Sequence, residues 1–181
     1  MKYLLSDVEK KDKDEDVLRN RLLDARVIMI SEPITDKLAR KVTTNCILMQ
    51  EKDKNAPISI YINSPGGSAD SGFAIYDILR FITPPVLTLC TGLCASAAIL
   101  IFLATSKDRR FSLSNSRFLL HQPSTTLFGT ASDININANE IIKLKKRYNS
   151  IVSAETGKTV EQIDKDADRD FWLNPQEAKE Y

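Results

Sequence analysis

The chain is poorest in the residues that build metal and redox centres. One histidine, His121, stands among 181 residues, and nothing near it has metal-ligand spacing, which removes most catalytic metal sites. The three cysteines, Cys46, Cys90 and Cys94, form no C-x-x-C pair and leave an odd count. That argues against a disulfide framework and for a reducing compartment. Neither sign of charge dominates: 25 Lys and Arg face 24 Asp and Glu, a formal net charge of +1. Such a balance makes no electrostatic case for binding nucleic acid or an anionic membrane surface. The longest apolar run, Leu93–Ala104, has 12 residues, against the roughly 20 needed to cross a bilayer. The start, MKYLLSDVEKKDKDEDV, has no apolar core of signal-peptide length. The expectation is a soluble, cytoplasmic protein with no metal and no cofactor of its own.

Against these absences stands an ordinary globular composition, 43% hydrophobic and 27% charged, at a length suited to one domain. Residues 1–16 are charge-dense, with little to bury, and read as a mobile arm. A single domain is expected over 17–181. Within it VLRNRLL reads as a short helix, and ARVIMI, PISIYIN and PVLTLCTG read as buried strands. Helices are expected after Thr35 or Asp36, either of which can cap, from Ser68 until Pro84 and Pro85 stop the chain, and over SAAILIFLAT. RFSLSNSRFLLHQP supplies short strands. This alternation predicts an α/β domain with parallel pairing. A long helix is predicted over about 133–153, with Ile134, Ala138, Ile141, Tyr148 and Ile151 close to helical spacing on one narrow stripe. That pattern fits packing on a neighbouring subunit and fits equally a helix on the domain's own surface.

Two segments carry possible chemistry. SPGGS (64–68) lies between a strand and a helix, where two glycines permit positive φ or a close backbone approach, and where backbone N–H groups can hold an oxyanion. It lacks the lysine of a phosphate-binding loop and does not match G-x-G-x-x-G, which disfavours nucleotide binding. In TGLCASAAIL (91–100), Ser96 follows a strand and begins a helix. Two readings stand side by side there. Ser96 is a plain N-cap, or it is a nucleophile beside the unpaired first-turn N–H of Ala97. The G-x-S-x-G elbow is absent. Cys94, among Leu and Ala with no cation nearby, reads as a small buried hydrophobe.

YINSPGGS, AIYDILRFI, TGLCASAAILI, RFSLSNSRFLLHQP and DADRDFWLNPQEAKEY follow one another in an order and spacing that resemble the proteolytic subunit family of the Clp protease, ClpP, from about Leu18 to Tyr181. The resemblance implies the ClpP/crotonase-like spiral of ββα units with a protruding handle, about 122–155, that carries the long helix. It implies a serine endopeptidase in which Ser96 matches the nucleophile, His121 the general base and Asp170 the third triad member, with the backbone N–H groups of Gly67 and Ala97 as the oxyanion hole. The Asp170 assignment rests on the resemblance alone. The family pattern further implies two stacked heptameric rings with the sites inside, ring-to-ring contacts through Asp168 and Arg169, and a hexameric AAA+ ATPase docked on Tyr61, Phe81 and Phe111. That ATPase uses the ATP and delivers unfolded polypeptide; alone, the barrel takes short peptides.

The chain departs from the family pattern at Cys94, in its charged arm, and after EAKEY, where relatives continue with a glycine and a short apolar strand. The charged arm and Cys94 keep a second reading open: a divergent, mainly structural or conditionally active paralogue that needs a partner isoform's ring. A crotonase-type acyl-CoA enzyme is a third reading, one in which neither Ser96 nor His121 is expected.

Overall fold

A computed structural model of the chain describes residues 17, 18 and 20–181; the segment 1–16, read above as an arm, lies outside the described residues. A helix whose described part includes residues 20–24 (α1) precedes the first strand. The order then runs β1 (Val27–Ile30), α2 (Asp36–Lys52), β2 (Ile58–Ser64), α3 (Ala69–Phe81), β3 (Val86–Ala95) and α4 (Ala97–Leu103). It continues through β4 (Arg110–Ser112), β5 (Arg117–Leu120), α5 (Ala131–Thr156), α6 (Val160–Asp166), β6 (Phe171–Leu173) and α7 (Pro175–Glu180).

The six strands form one sheet in the order β1-β2-β3-β5-β6, with β4 also paired to β3. Pairing is parallel from β1 through β5, as the alternation of strands and helices predicts. The β5–β6 pair is antiparallel, which the alternation did not indicate. Ile58, Ile60 and Ile62 of β2 are fully buried, as are Cys90 and Cys94 of β3. Such unbroken apolar strands are expected where helices cover the sheet. On one face of the sheet, Met29, Tyr61, Leu89 and Phe111 fall in one row of the register. Its two ends, Met29 and Phe111, are exposed.

Local signals set the helix ends. Thr35, not Asp36, is the N-cap of α2, its hydroxyl accepting the Leu38 N–H at 3.3 Å. Ser68 caps α3 in the same way, through Ser71 N–H. Helix α3 ends at Phe81, before the two prolines. Helix α5 is longer than predicted because Thr130 caps its start and Gly157, at φ +85°, takes the left-handed C-terminal position. Only Tyr148, Asn149 and Val152 of α5 are buried. The predicted apolar stripe is therefore covered only near its C-terminal end, and Ile134 and Ile136 in the first half stay exposed.

Candidate active site

The C-terminal ends of β2, β3 and β5 meet at one place, which is where open parallel sheets offer their ligand crevices. Strand β3 runs further than predicted, through Leu93, Cys94 and Ala95, because a bulge interrupts its pairing with β2 between Ile62 and Ser64. The Asn63 side chain fills that bulge, its Oδ1 accepting the Leu93 N–H at 2.9 Å. A Cβ on Gly92 would stand 2.6 Å from Asn63 Oδ1, so a larger residue there would displace the Asn63 side chain. The extension carries β3 alongside β5, with Ala95 opposite Leu119.

Ser96 follows immediately, at φ 55° and ψ −122°, a conformation that a non-glycine residue adopts only under constraint. Such backbones cost roughly 1–3 kcal/mol and persist where surrounding bonds over-determine them. Here Ser96 N–H donates to Leu119 O at 2.9 Å. The Ser96 carbonyl accepts Ile99 N–H at 3.0 Å and the Tyr148 hydroxyl at 3.4 Å. The serine side chain makes no capping hydrogen bond to α4. A plain N-cap role for Ser96 is thereby excluded, since its hydroxyl satisfies no first-turn N–H. Every residue of α4 except Phe102 is buried, so the apolar run behind Ser96 is the central helix of the domain.

The SPGGS turn closes against this serine. Ser64 is fully buried, donating to Glu32 O at 2.7 Å and accepting Gly66 N–H at 3.2 Å. Gly66 has φ +88°, and a Cβ on it would lie 2.5 Å from Ala95 O and 2.7 Å from Ser96 Cβ. Gly67 has φ +149°, and its Cβ would lie 2.3 Å from Ile34 O. Both uses of glycine anticipated from the sequence occur together, positive φ and close approach, and the approach is to the protein's own backbone. Among the described residues, neither the Gly67 N–H nor the Ala97 N–H meets a protein acceptor.

His121 comes one residue after β5. The antiparallel register places Leu120 opposite Phe171, so one further step brings His121 opposite Asp170. His121 Nδ1 and Asp170 Oδ1 are 3.7 Å apart, beyond hydrogen-bond range, with the aspartate side chain 63% exposed. The next residue, Gln122, is held by its N–H to Ala167 O at 2.8 Å and by its side chain to Asp168 O at 2.9 Å. Ser96, Ala97, Gly67, His121 and Tyr148 line one cavity of about 440 Å³. Leu100, Ile141 and Leu144 supply apolar wall.

Some expected site residues lie apart from that cavity. Asp168 and Arg169 are exposed on the loop before Asp170. Tyr61 and Phe111 belong to the apolar row on the sheet, and Phe81, 81% exposed, ends α3. Burial pushes the Cys94 thiol well above its usual range, as expected of a small core residue. Sequence reasoning placed Tyr148 only on a helical stripe; its contact with the Ser96 carbonyl left no signal in local pattern. Among the described residues no cluster of His, Cys, Asp and Glu could hold a metal ion.

The domain is of the mixed α/β class, and one of its cavities brings a positive-φ serine at a strand-to-helix turn together with a histidine. The chain belongs to the Clp protease family, whose sequence model matches residues 10–181. It is 45% identical over 175 residues to the ATP-dependent Clp protease proteolytic subunit 2 of Treponema denticola, covering 96% of this chain and 88% of that one. With the corresponding subunit 2 of Borreliella burgdorferi it shares 46% over 176 residues, covering 95% and 89%. With subunit 3 of Rhizobium johnstonii it shares 49% over 160 residues, covering 88% and 82%. Among solved structures it resembles a mutant ClpP1 from Listeria monocytogenes, with a TM-score of 0.83, 42% identity and 91% of each chain covered. The fold is thus that of ClpP, and the family is one of proteases.

Proposed function

We propose that the chain is a serine endopeptidase subunit whose nucleophile is Ser96. The observation that carries this reading is the serine itself: held at positive φ, making no cap, and sharing a cavity with the only histidine and two N–H groups that meet no acceptor among the described residues. Ser96 Oγ attacks the scissile carbonyl while His121 Nε2 accepts its proton, Nδ1 being the nitrogen turned towards Asp170. Asp170 fixes the tautomer and stabilises the imidazolium. The Gly67 and Ala97 N–H groups hold the oxyanion. His121 returns the proton to the leaving amine, and water, activated by the same histidine, releases the acyl group from Ser96.

The subunit works in a barrel of two heptameric rings fed by a hexameric AAA+ ATPase in the cytoplasm. Two features support the assembly. The exposed isoleucines of α5, Ile134, Ile136 and Ile142, suit a helix that packs on another subunit. The Asp168–Gln122 bond ties the loop bearing Asp168 and Arg169 to the residue after His121, so a ring contact there reaches the base. Exposed Phe81 and Phe111 suit ATPase docking, together with Tyr61. ATP is used by that partner and no cofactor by this chain.

A second reading is favoured by one distance. At 3.7 Å, with Asp170 largely in solvent, the His–Asp pair is open, and a conditionally active subunit would close it only against a partner isoform's ring. Purified chain, sized by light scattering and assayed on a short fluorogenic peptide, tests both. A fourteen-subunit particle that cleaves the peptide, with Ser96→Ala inactive, is expected. Assembled protein inactive alone but active on mixing with a second isoform selects the second reading. Full activity in Ser96→Ala overturns both.

A further inference from the structure

The Ser96–Ala97 peptide has a feature that the triad leaves unexplained: a donor from a distant helix reaches its carbonyl. Tyr148, on α5, is 5% exposed, and its hydroxyl donates to Ser96 O at 3.4 Å, a long bond and the one hydrogen bond this hydroxyl makes among the described residues. The same oxygen accepts Ile99 N–H at 3.0 Å. A trans peptide is rigid and planar, with its C=O and N–H pointing oppositely. Two donors on the Ser96 carbonyl therefore also aim the Ala97 N–H.

We infer that Tyr148 is a positioning residue for the oxyanion hole, its hydroxyl holding the Ser96–Ala97 peptide so that the Ala97 N–H faces the developing negative charge. This rests on the reading of Ser96 and Ala97 as nucleophile and oxyanion donor. Three observations support it. The peptide follows a residue at φ 55°, a conformation that needs outside restraint to persist. The Ile99 bond is internal to the first turn of a helix, so of the two bonds only the tyrosine's ties the peptide to a second element. Donation to a carbonyl also polarises its peptide unit and strengthens the N–H on the other side. Burial, reinforced by nearby Cys94 and Tyr181, pushes the Tyr148 phenol far above its ordinary range, so it remains a donor at any working pH.

The competing role is a ring that merely fills the cavity wall, where Tyr148 also stands. Tyr148→Phe keeps the ring and removes the donor. Losing a whole oxyanion donor costs about 10²–10³ in kcat, and losing the support for one is expected to cost about 5- to 50-fold. In the full chain, Tyr148→Phe should therefore lower kcat on the fluorogenic peptide by that factor, with KM within about twofold and particle mass unchanged. The rate of Ser96 labelling by a fluorophosphonate should fall in parallel. Unchanged kcat, or a raised KM at constant kcat, overturns the inference.

Should Tyr148→Phe fail to assemble, 3-fluorotyrosine at position 148 decides. It keeps the shape with a more acidic hydroxyl, so labelling faster than wild type is expected and an unchanged rate overturns the proposal. A wild-type protein that labels no better than Ser96→Ala removes the underlying reading of Ser96, and the inference with it. That outcome differs from a loss confined to the Tyr148 variants.

Discussion

Gly67→Ala strains the turn that closes on Ser96, and the structure sets the size of the effect. The new Cβ would meet Ile34 O at 2.3 Å and Ile34 N at 2.9 Å, both backbone atoms that no rotamer change can move away. Relief requires separating 66–68 from Ile34 by about 1 Å. That weakens the bonds Ile34 N–H to Gly66 O (2.8 Å) and Ser68 N–H to Ile34 O (2.9 Å). Each is worth about 1 kcal/mol net, and a φ of +149° adds about 1–3 kcal/mol for an alanine. A loss of about 3–5 kcal/mol follows, which for a chain of this size lowers Tm by about 10 °C or more. The Gly67 N–H moves with its backbone, and a displacement of about 1 Å at a reacting centre costs about 10² in rate. Differential scanning calorimetry and kcat on a short fluorogenic peptide read the two effects separately. Gly157→Ala is the control: its φ is +85°, but nothing lies within 4 Å of the added Cβ, so only about 1 kcal/mol and no activity should be lost. A Gly67→Ala protein with Tm within 2 °C of wild type and kcat within about threefold would refute the argument.

Arg26 donates to Met49 O, Asp53 O, Ala56 O and Pro57 O, at 2.8–3.1 Å, clamping the end of α2 and the loop beyond it. Arg26→Ala should cost about 2–4 kcal/mol in calorimetry and leave Ser96 labelling intact; a neutral substitution would contradict the clamp. Burial pushes the fully buried Cys46 thiol from 9.0 up to about 12. The folded state then keeps a proton that the unfolded state releases, so stability is full below pH 9 and falls as pH rises towards 12. The slope is about 1.4 kcal/mol per pH unit, and Cys46→Ala should flatten it in urea titrations. Iodoacetamide at pH 8 should leave Cys46 of the native protein unmodified; rapid stoichiometric alkylation would count against its burial.

Much of the fold was legible because the signals were local. Three apolar strands, the helix starts near Thr35 and Ser68, and the long helix each announce themselves within a few residues. Ser96 was legible as a choice between two roles, and the missing cap bond removes the plain N-cap from that choice. What local pattern could not carry were the long-range pairings. The three-residue strand Phe171–Leu173 is too short to show a period, yet its antiparallel register is what sets Asp170 opposite His121. The β3 bulge depends on Asn63 from the neighbouring strand, and Arg26 looked like the edge of a buried strand rather than a clamp for four carbonyls. Family resemblance, not pattern, picked Asp170 from 24 acidic residues.

The central claim, that Ser96 is the nucleophile, is met most directly by mass spectrometry of the protein after reaction with a fluorophosphonate. The account predicts one adduct per chain, mapped to the peptide containing Ser96, absent from Ser96→Ala and lost after denaturation of the protein before labelling. An assembled native particle that carries no adduct at Ser96, or one that labels at another serine while still cleaving peptides, would contradict it.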